Sequence, residues 1–172
     1  VAAMTASTWC AKIFRECGVT VPIHVIPHGV DAEKFPYFER DWNSKRFYFL
    51  WQGMHTYDRK GLKYVRQAFA ELDLKDAWLI EKWYPMVSKE WGPASYPSQR
   101  RIEIGHFLER DQYLDILCQC HVSVNPFRGE GFGLMPLETA CTGMMTIATN
   151  FSGPTDYLRS DCFWPLKYKL SE

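Results

Sequence analysis

Along the whole chain, short apolar runs rich in β-branched and aromatic residues alternate with segments of helical period. This rhythm constrains the fold more than any other feature. Residues 46–52 (RFYFLWQ) are almost continuously apolar, as in a strand buried on both faces, and Gly53 is expected to end that strand. Further strands are predicted at 23–26, 77–80, 102–104, 122–125 and 144–148. Helices are predicted at 8–17, with Ser7 as cap and Gly18 as stop, and at 61–72, where Leu62, Val65, Phe69 and Leu72 share one face. Two more are predicted, one from a cap at Asp111 to about Cys120 and one at 134–142, and Pro154 is expected to begin another helical turn. Residues 83–101 contain Pro85, Gly92, Pro93 and Pro97 without a clear period, which predicts an unusually long loop.

Strands joined in turn by helices predict an α/β domain built on a doubly wound parallel sheet, whose ligand crevice lies at the carboxyl ends of the strands. Chemistry is therefore sought just after Gln52, Ile104 and Asn125. A length of 172 residues, 47% of them hydrophobic, suits one packed domain and argues against disorder, collagen or a coiled coil. Twenty Lys and Arg balance twenty Asp and Glu, so no net field draws the chain to nucleic acid or to an anionic membrane. No apolar run approaches the roughly 20 residues of a membrane span. The six cysteines form no Cys-x-x-Cys pair and no leader-like segment precedes them, so free thiols and a cytoplasmic location are expected. Cys118, Cys120 and His121 also suggest a metal site, but in an amphipathic segment small buried thiols are the expected reading.

The strongest local signal is PFRGEGFGLMPLETACT over residues 126–142, a strand end, a glycine-rich loop and a helix start. Its glycines let the backbone approach a ligand, and the free amides of the helix start favour an anion such as a diphosphate. A plain strand-to-helix turn would use glycine as well. Gly129, Gly131 and Gly133 do not make G-x-G-x-x-G, and there is no Walker lysine. Glu130 and Glu138, with seven residues between them, flank the loop and helix start. Carboxylates placed there can accept hydrogen bonds from sugar hydroxyls and stabilise positive charge at an anomeric carbon. The same spacing suits one helix-terminus Glu and one solvated Glu.

The run EGFGLMPLETACTGMMTIAT, residues 130–149, resembles the signature of the retaining GT-B glycosyltransferases of glycosyltransferase family 4, which holds a Glu-x7-Glu pair. Other marks follow in the family's order: Ser7 before a helix, IPHGVD at 26–31, RKGL at 59–62 and Ser152-Gly153. The resemblance implies a Rossmann-like domain, the C-terminal half of a GT-B fold, with residues 1–172 forming one nucleotide-sugar domain truncated at both ends. It implies an enzyme that moves a sugar from a nucleoside diphosphate to an unknown acceptor, without metal or other cofactor. Glu130 would then contact the donor sugar, Glu138 the ribose, and amides of Phe132, Gly133 and Leu134 the phosphates. Lys60 would neutralise the leaving diphosphate, with Gly53 and Arg59 beside it. Phe107 and Leu108 lie where the family holds the base.

Two departures from the family pattern are expected to matter. An arginine usually follows the glycine that ends the strand, but Met54 follows Gly53 here, leaving Arg59, Arg128 or His55 to replace its contact. The chain also lacks the family's acceptor half, with its catalytic His, and the closing helices after Asp156. It is therefore expected to fold without transferring sugar, and to self-associate through apolar surface such as Phe163 and Trp164. Trp83, Trp91 and Tyr96 in the long loop could stack on a sugar or base, or simply pack the loop. The rival readings are a non-catalytic nucleotide-sugar binding module and a GT-B phosphorylase or sugar-nucleotide epimerase.

Overall fold

A computed structural model describes residues 1–54, 57–84, 100–159 and 161–170. In chain order the elements are β1 (Ala3–Thr5), α1 (Thr8–Glu16), β2 (Ile23–Val25), β3 (Phe47–Met54), the single turn α2 (Tyr57–Lys60), α3 (Leu62–Leu72) and β4 (Ala77–Tyr84). They continue with β5 (Arg101–Ile104), α4 (Arg110–Gln119), β6 (Val122–Asn125), α5 (Leu134–Cys141), β7 (Met145–Thr149), a 3-10 turn (Gly153–Asp156) and β8 (Phe163–Leu166). The main sheet has six parallel strands in the order β5-β4-β3-β6-β7-β8, while β1 and β2 pair in a separate parallel ribbon. The chain winds outward from β3 to β5 and then returns to lay β6 on the other side of β3. That reversal defines a switch point between β3 and β6.

Alternation along β3 explains why its sequence is apolar throughout. Trp51 packs with Leu62, Val65 and Phe69 of α3 and with Leu79, whereas Leu50 faces the other way onto Ile80, Leu117 of α4, Cys120 and Met144. Both faces of the sheet are covered, as a parallel sheet requires. The expected α/β doubly wound sheet is the observed fold. Among the described residues, no helix is long and apolar enough to cross a membrane.

Several element boundaries differ from the sequence reading. Strand β3 does not stop at Gly53, because β4 continues beside it and pairs Gly53 with Trp83 and Met54 with Tyr84. Trp83 therefore belongs to a strand and not to a loop, while Trp91 and Tyr96 lie outside the described residues. The N-cap of α4 is Glu109, not Asp111, and its backbone N–H donates to Gln112 Oε1 at 3.0 Å. Phe163 is buried with Phe127, Ala148 and Leu158, because β8 extends the sheet next to β7; Trp164, pointing away, is exposed. Of the two thiols expected to be buried, Cys120 is and Cys118 is exposed. His121 is a packing residue: its Nδ1 accepts from Tyr48 N at 3.2 Å and its Nε2 donates to Asp41 O at 3.2 Å.

Two buried cations hold the layers together. Arg40 donates to Leu117 O (2.9 Å), Cys120 O (2.7 Å) and Thr142 O (2.6 Å), so one guanidinium satisfies the carbonyl ends of both α4 and α5. On the opposite face Arg66 Nε meets Glu81 Oε1 at 2.9 Å and Oε2 at 3.1 Å, with Arg101 Nε 3.4 Å from Glu81 Oε1. Glu81 has no solvent exposure, so removing its main partner strands a buried charge. Arg66→Met is therefore expected to lower the unfolding free energy by about 3 kcal/mol, measured by urea denaturation. A loss below about 1 kcal/mol, the range of exposed ion pairs, would show that Arg101 alone suffices.

Candidate functional site

The site is assembled over the switch point by backbone close contacts. Gly61 joins α2 to α3 in the left-handed region at φ 75°, and a Cβ there would lie 2.1 Å from Pro126 O. Only glycine allows the loop after β3 to sit so close to the loop after β6. Trp51 Nε1 donates to Lys60 O at 3.0 Å and Arg128 N to Arg59 O at 2.8 Å, which completes the seam. As a result the Lys60 ammonium forms an ion pair with Glu130, both side chains being largely buried. Arg59 donates to Gly129 O at 3.0 Å and lies 3.6 Å from the other Glu130 oxygen. Three residues chosen from two separate motifs thus form one charged cluster.

The glycine loop leads directly into α5. Gly133 is the N-cap residue, and no side chain caps the helix among the described residues. Its first amides, which like those of any helix have no intrahelical acceptor, lie at the positive end of the helix dipole. Tyr157 fixes this start: its hydroxyl donates to Gly133 O and its ring packs on Phe132 at 5.1 Å between centroids. Burial, then the charges of Glu130 and Glu138, push the Tyr157 phenol far above its ordinary range, so it remains a donor.

On the α4 and α5 side of the sheet the carboxyl ends of β3 and β4 open into a cavity of about 190 Å³. Phe35, Gln52, Gly53, Lys82, Tyr113, Met135 and Glu138 line it. Glu138 and Gly53 were singled out from sequence; the others were not. Lys82, almost wholly buried, was hidden by the expectation that the strand ended at Ile80. The polar pair Glu81-Lys82 within an otherwise apolar strand was the available signal, since alternation sends them to opposite faces. Of the remaining candidates, Phe132 is buried, Leu134 is exposed at the α5 start, Phe107 is exposed and Leu108 is buried, and none of these lines the cavity. His106, next to Phe107, does reach it indirectly, because Lys82 Nζ donates to His106 O at 2.9 Å. Arg128 is exposed, and His55 lies outside the described residues.

This geometry defines an α/β domain with a glycine-capped helix start at its switch point, and the comparisons name the class. The family described as glycosyl transferases group 1 matches residues 46–162, and the chain belongs to that family. No curated protein sequence matches it. Sucrose-phosphate synthase from Thermosynechococcus elongatus has a similar structure, with a TM-score of 0.77 at 16% identity over 96% of this chain and 45% of that one. A glycosyltransferase from Rickettsia africae gives 0.74 at 14% identity over 95% of this chain and 48% of that one. The C-terminal domain of a group 1 family glycosyl transferase from Francisella tularensis gives 0.62 at 18% identity, covering 82% of this chain and 81% of that domain. The chain thus spans about half the length of the first two and has the fold of a GT-B C-terminal domain.

Burial raises the Glu138 carboxyl above its ordinary range. An acid whose folded pKa is raised binds its proton more tightly in the native state, so stability is lost as pH rises from the unfolded pKa through the folded one. Glu138→Gln removes that loss. The variant is expected to melt at a higher temperature than wild type at pH 7, with the gap closing toward about pH 4, where the ordinary carboxyl is half protonated. Scanning calorimetry across this range checks the sign, and a variant less stable at pH 7 would contradict it.

Proposed function

We propose that this domain binds the nucleoside diphosphate sugar of a retaining glycosyltransferase, as the donor half of a larger active site. The observation that carries the reading is the Lys60–Glu130 pair, held over the switch point beside the uncapped start of α5, with Glu138 on the wall of the adjoining cavity. A diphosphate set against the amides of Phe132, Gly133 and Leu134 competes for Lys60. As Lys60 turns to the phosphate, Glu130 is released to accept hydrogen bonds from the donor sugar. Lys60, Arg59 and the helix dipole together supply positive charge for the leaving diphosphate, the task a divalent metal performs elsewhere. Glu138 accepts from the ribose hydroxyls, and ligand hydrogen bonds repay the desolvation it suffers when empty. Transfer itself needs an acceptor held against the anomeric carbon, which this reading assigns to the part of the enzyme beyond the donor domain.

Calorimetric titration with UDP, GDP and ADP tests the site. Lys60→Ala is expected to weaken the best-bound diphosphate by ~1–3 kcal/mol, the worth of a charge-assisted hydrogen bond, and wild-type binding is expected to persist in EDTA. Glu138→Ala is expected to weaken both diphosphate and nucleotide sugar. Glu130→Ala frees Lys60 from its competitor, so it is expected to leave diphosphate affinity unchanged or raised while weakening the nucleotide sugar. Strict dependence on magnesium, or a reversal between the two glutamates, would overturn the assignment.

A further inference from the structure

Gln52 stands near the end of β3 with only 5% of its surface exposed, one strand away from Lys82 in direct register. Both project from the sheet face that carries Leu50 and Ile80, one step further toward the carboxyl ends, and both line the cavity that Glu138 closes. The Tyr113 hydroxyl donates to Gln52 Oε1 at 2.7 Å. Gln52 Nε2, by contrast, has no hydrogen-bond partner among the described residues. A buried amide donor left in this state costs free energy, and the cost is recovered only when an acceptor arrives. Lys82, which donates to His106 O at 2.9 Å and Trp83 O at 3.3 Å, adds positive charge to the same wall. The pair therefore favours an acceptor atom and disfavours a donor.

What that acceptor belongs to follows from the path into the cavity. Met135, in the first turn of α5, lines the cavity together with Glu138 and Gln52, so one cavity joins the α5 start, where the reading above sets the diphosphate, to the Gln52 amide. Guanine and thymine-type bases present a carbonyl oxygen where adenine presents an exocyclic amino donor. An amino group facing Gln52 Nε2 and the Lys82 ammonium sets donors against donors.

We propose that Gln52, supported by Lys82, selects a donor nucleotide whose base presents a carbonyl oxygen to the cavity. The selection rests on the nucleotide-binding reading above. It is a residue-level specificity carried by the orphan amide rather than by the phosphate cluster.

The test is calorimetric titration of the 172-residue chain and its Gln52→Met variant with UDP, GDP and ADP. Wild type is expected to bind UDP or GDP at least about tenfold more tightly than ADP, because a buried polar group built for one partner rejects a ligand that lacks it. Gln52→Met is expected to bring the preferred diphosphate to within about twofold of ADP while leaving ADP affinity unchanged. Lys82→Met, on the neighbouring strand, is expected to narrow the same ratio. Should Gln52→Met not fold, the wild-type ratio and Lys82→Met decide the matter. ADP bound as tightly as UDP and GDP by wild type, or an equal loss of all three in the variants, would overturn the selection and leave the phosphate site standing. Failure of all three diphosphates to bind wild type would overturn the nucleotide reading itself, and the selection with it.

Discussion

The mouth of the sheet depends on a backbone seam that brings together Lys60 and Glu130, opposite charges from the exits of strands far apart in sequence but adjacent in space. Such a pair is a poor source of stability, because each group gives up water to reach the other. What brings the two together is backbone: Gly61 against Pro126 O, Arg128 N to Arg59 O, and the anchoring of Lys60 O by Trp51. The ion pair is a consequence of that seam. Breaking the pair would therefore leave the seam intact, which is what the proposed phosphate-binding role of Lys60 requires.

The two faces of the sheet treat buried polarity in opposite ways. On the α3 face Glu81 is fully paired with Arg66 and Arg101, and nothing in that network asks for a ligand. On the α4 and α5 face Glu138 is desolvated and Gln52 Nε2 has no partner among the described residues. The first arrangement satisfies its groups within the chain; the second does not. A domain that only needed stability would fill the second cavity with apolar side chains. The unevenness sets the α4 and α5 face apart from the α3 face, independently of any motif.

Much of the fold was legible from sequence because a parallel sheet covered on both sides imposes long apolar runs and helices of clear period. Val122–Asn125 matched its expected bounds, and α1 formed on its Ser7 cap, with Cys10 N donating to Ser7 Oγ at 3.1 Å. The errors at the ends of β3 and β4 share one cause. Strand ends were placed at the first glycine or charge, yet pairing with a neighbour carried β3 past Gly53 and β4 past Glu81. Strands β1 and β8 are short and partly exposed, so they leave no period to read. At the site, Glu130, Glu138, Lys60 and Arg59 were visible as motif residues. Gln52, Lys82 and Tyr113 were not, because each becomes polar lining only through register and tertiary packing, and sequence spacing encodes neither.

The glycine loop is also held from three directions. Ser7 Oγ donates to Gly131 O at 2.6 Å from the start of α1. Ser152 Oγ accepts from Glu130 N at 3.0 Å, and Gly153 N donates to Glu130 O at 3.0 Å. Gly153 itself has no room for a Cβ, which would lie 2.0 Å from Gly131 O. Tyr157 then ties Gly133 to the same turn. A loop pinned at residues 130, 131 and 133 keeps its amides in place, so the anion binding proposed above would not have to order them. The family signature is thus spread over three segments, because the glycine-rich run supplies the amides while Ser7 and the Ser152–Tyr157 turn supply the rigidity that makes them useful.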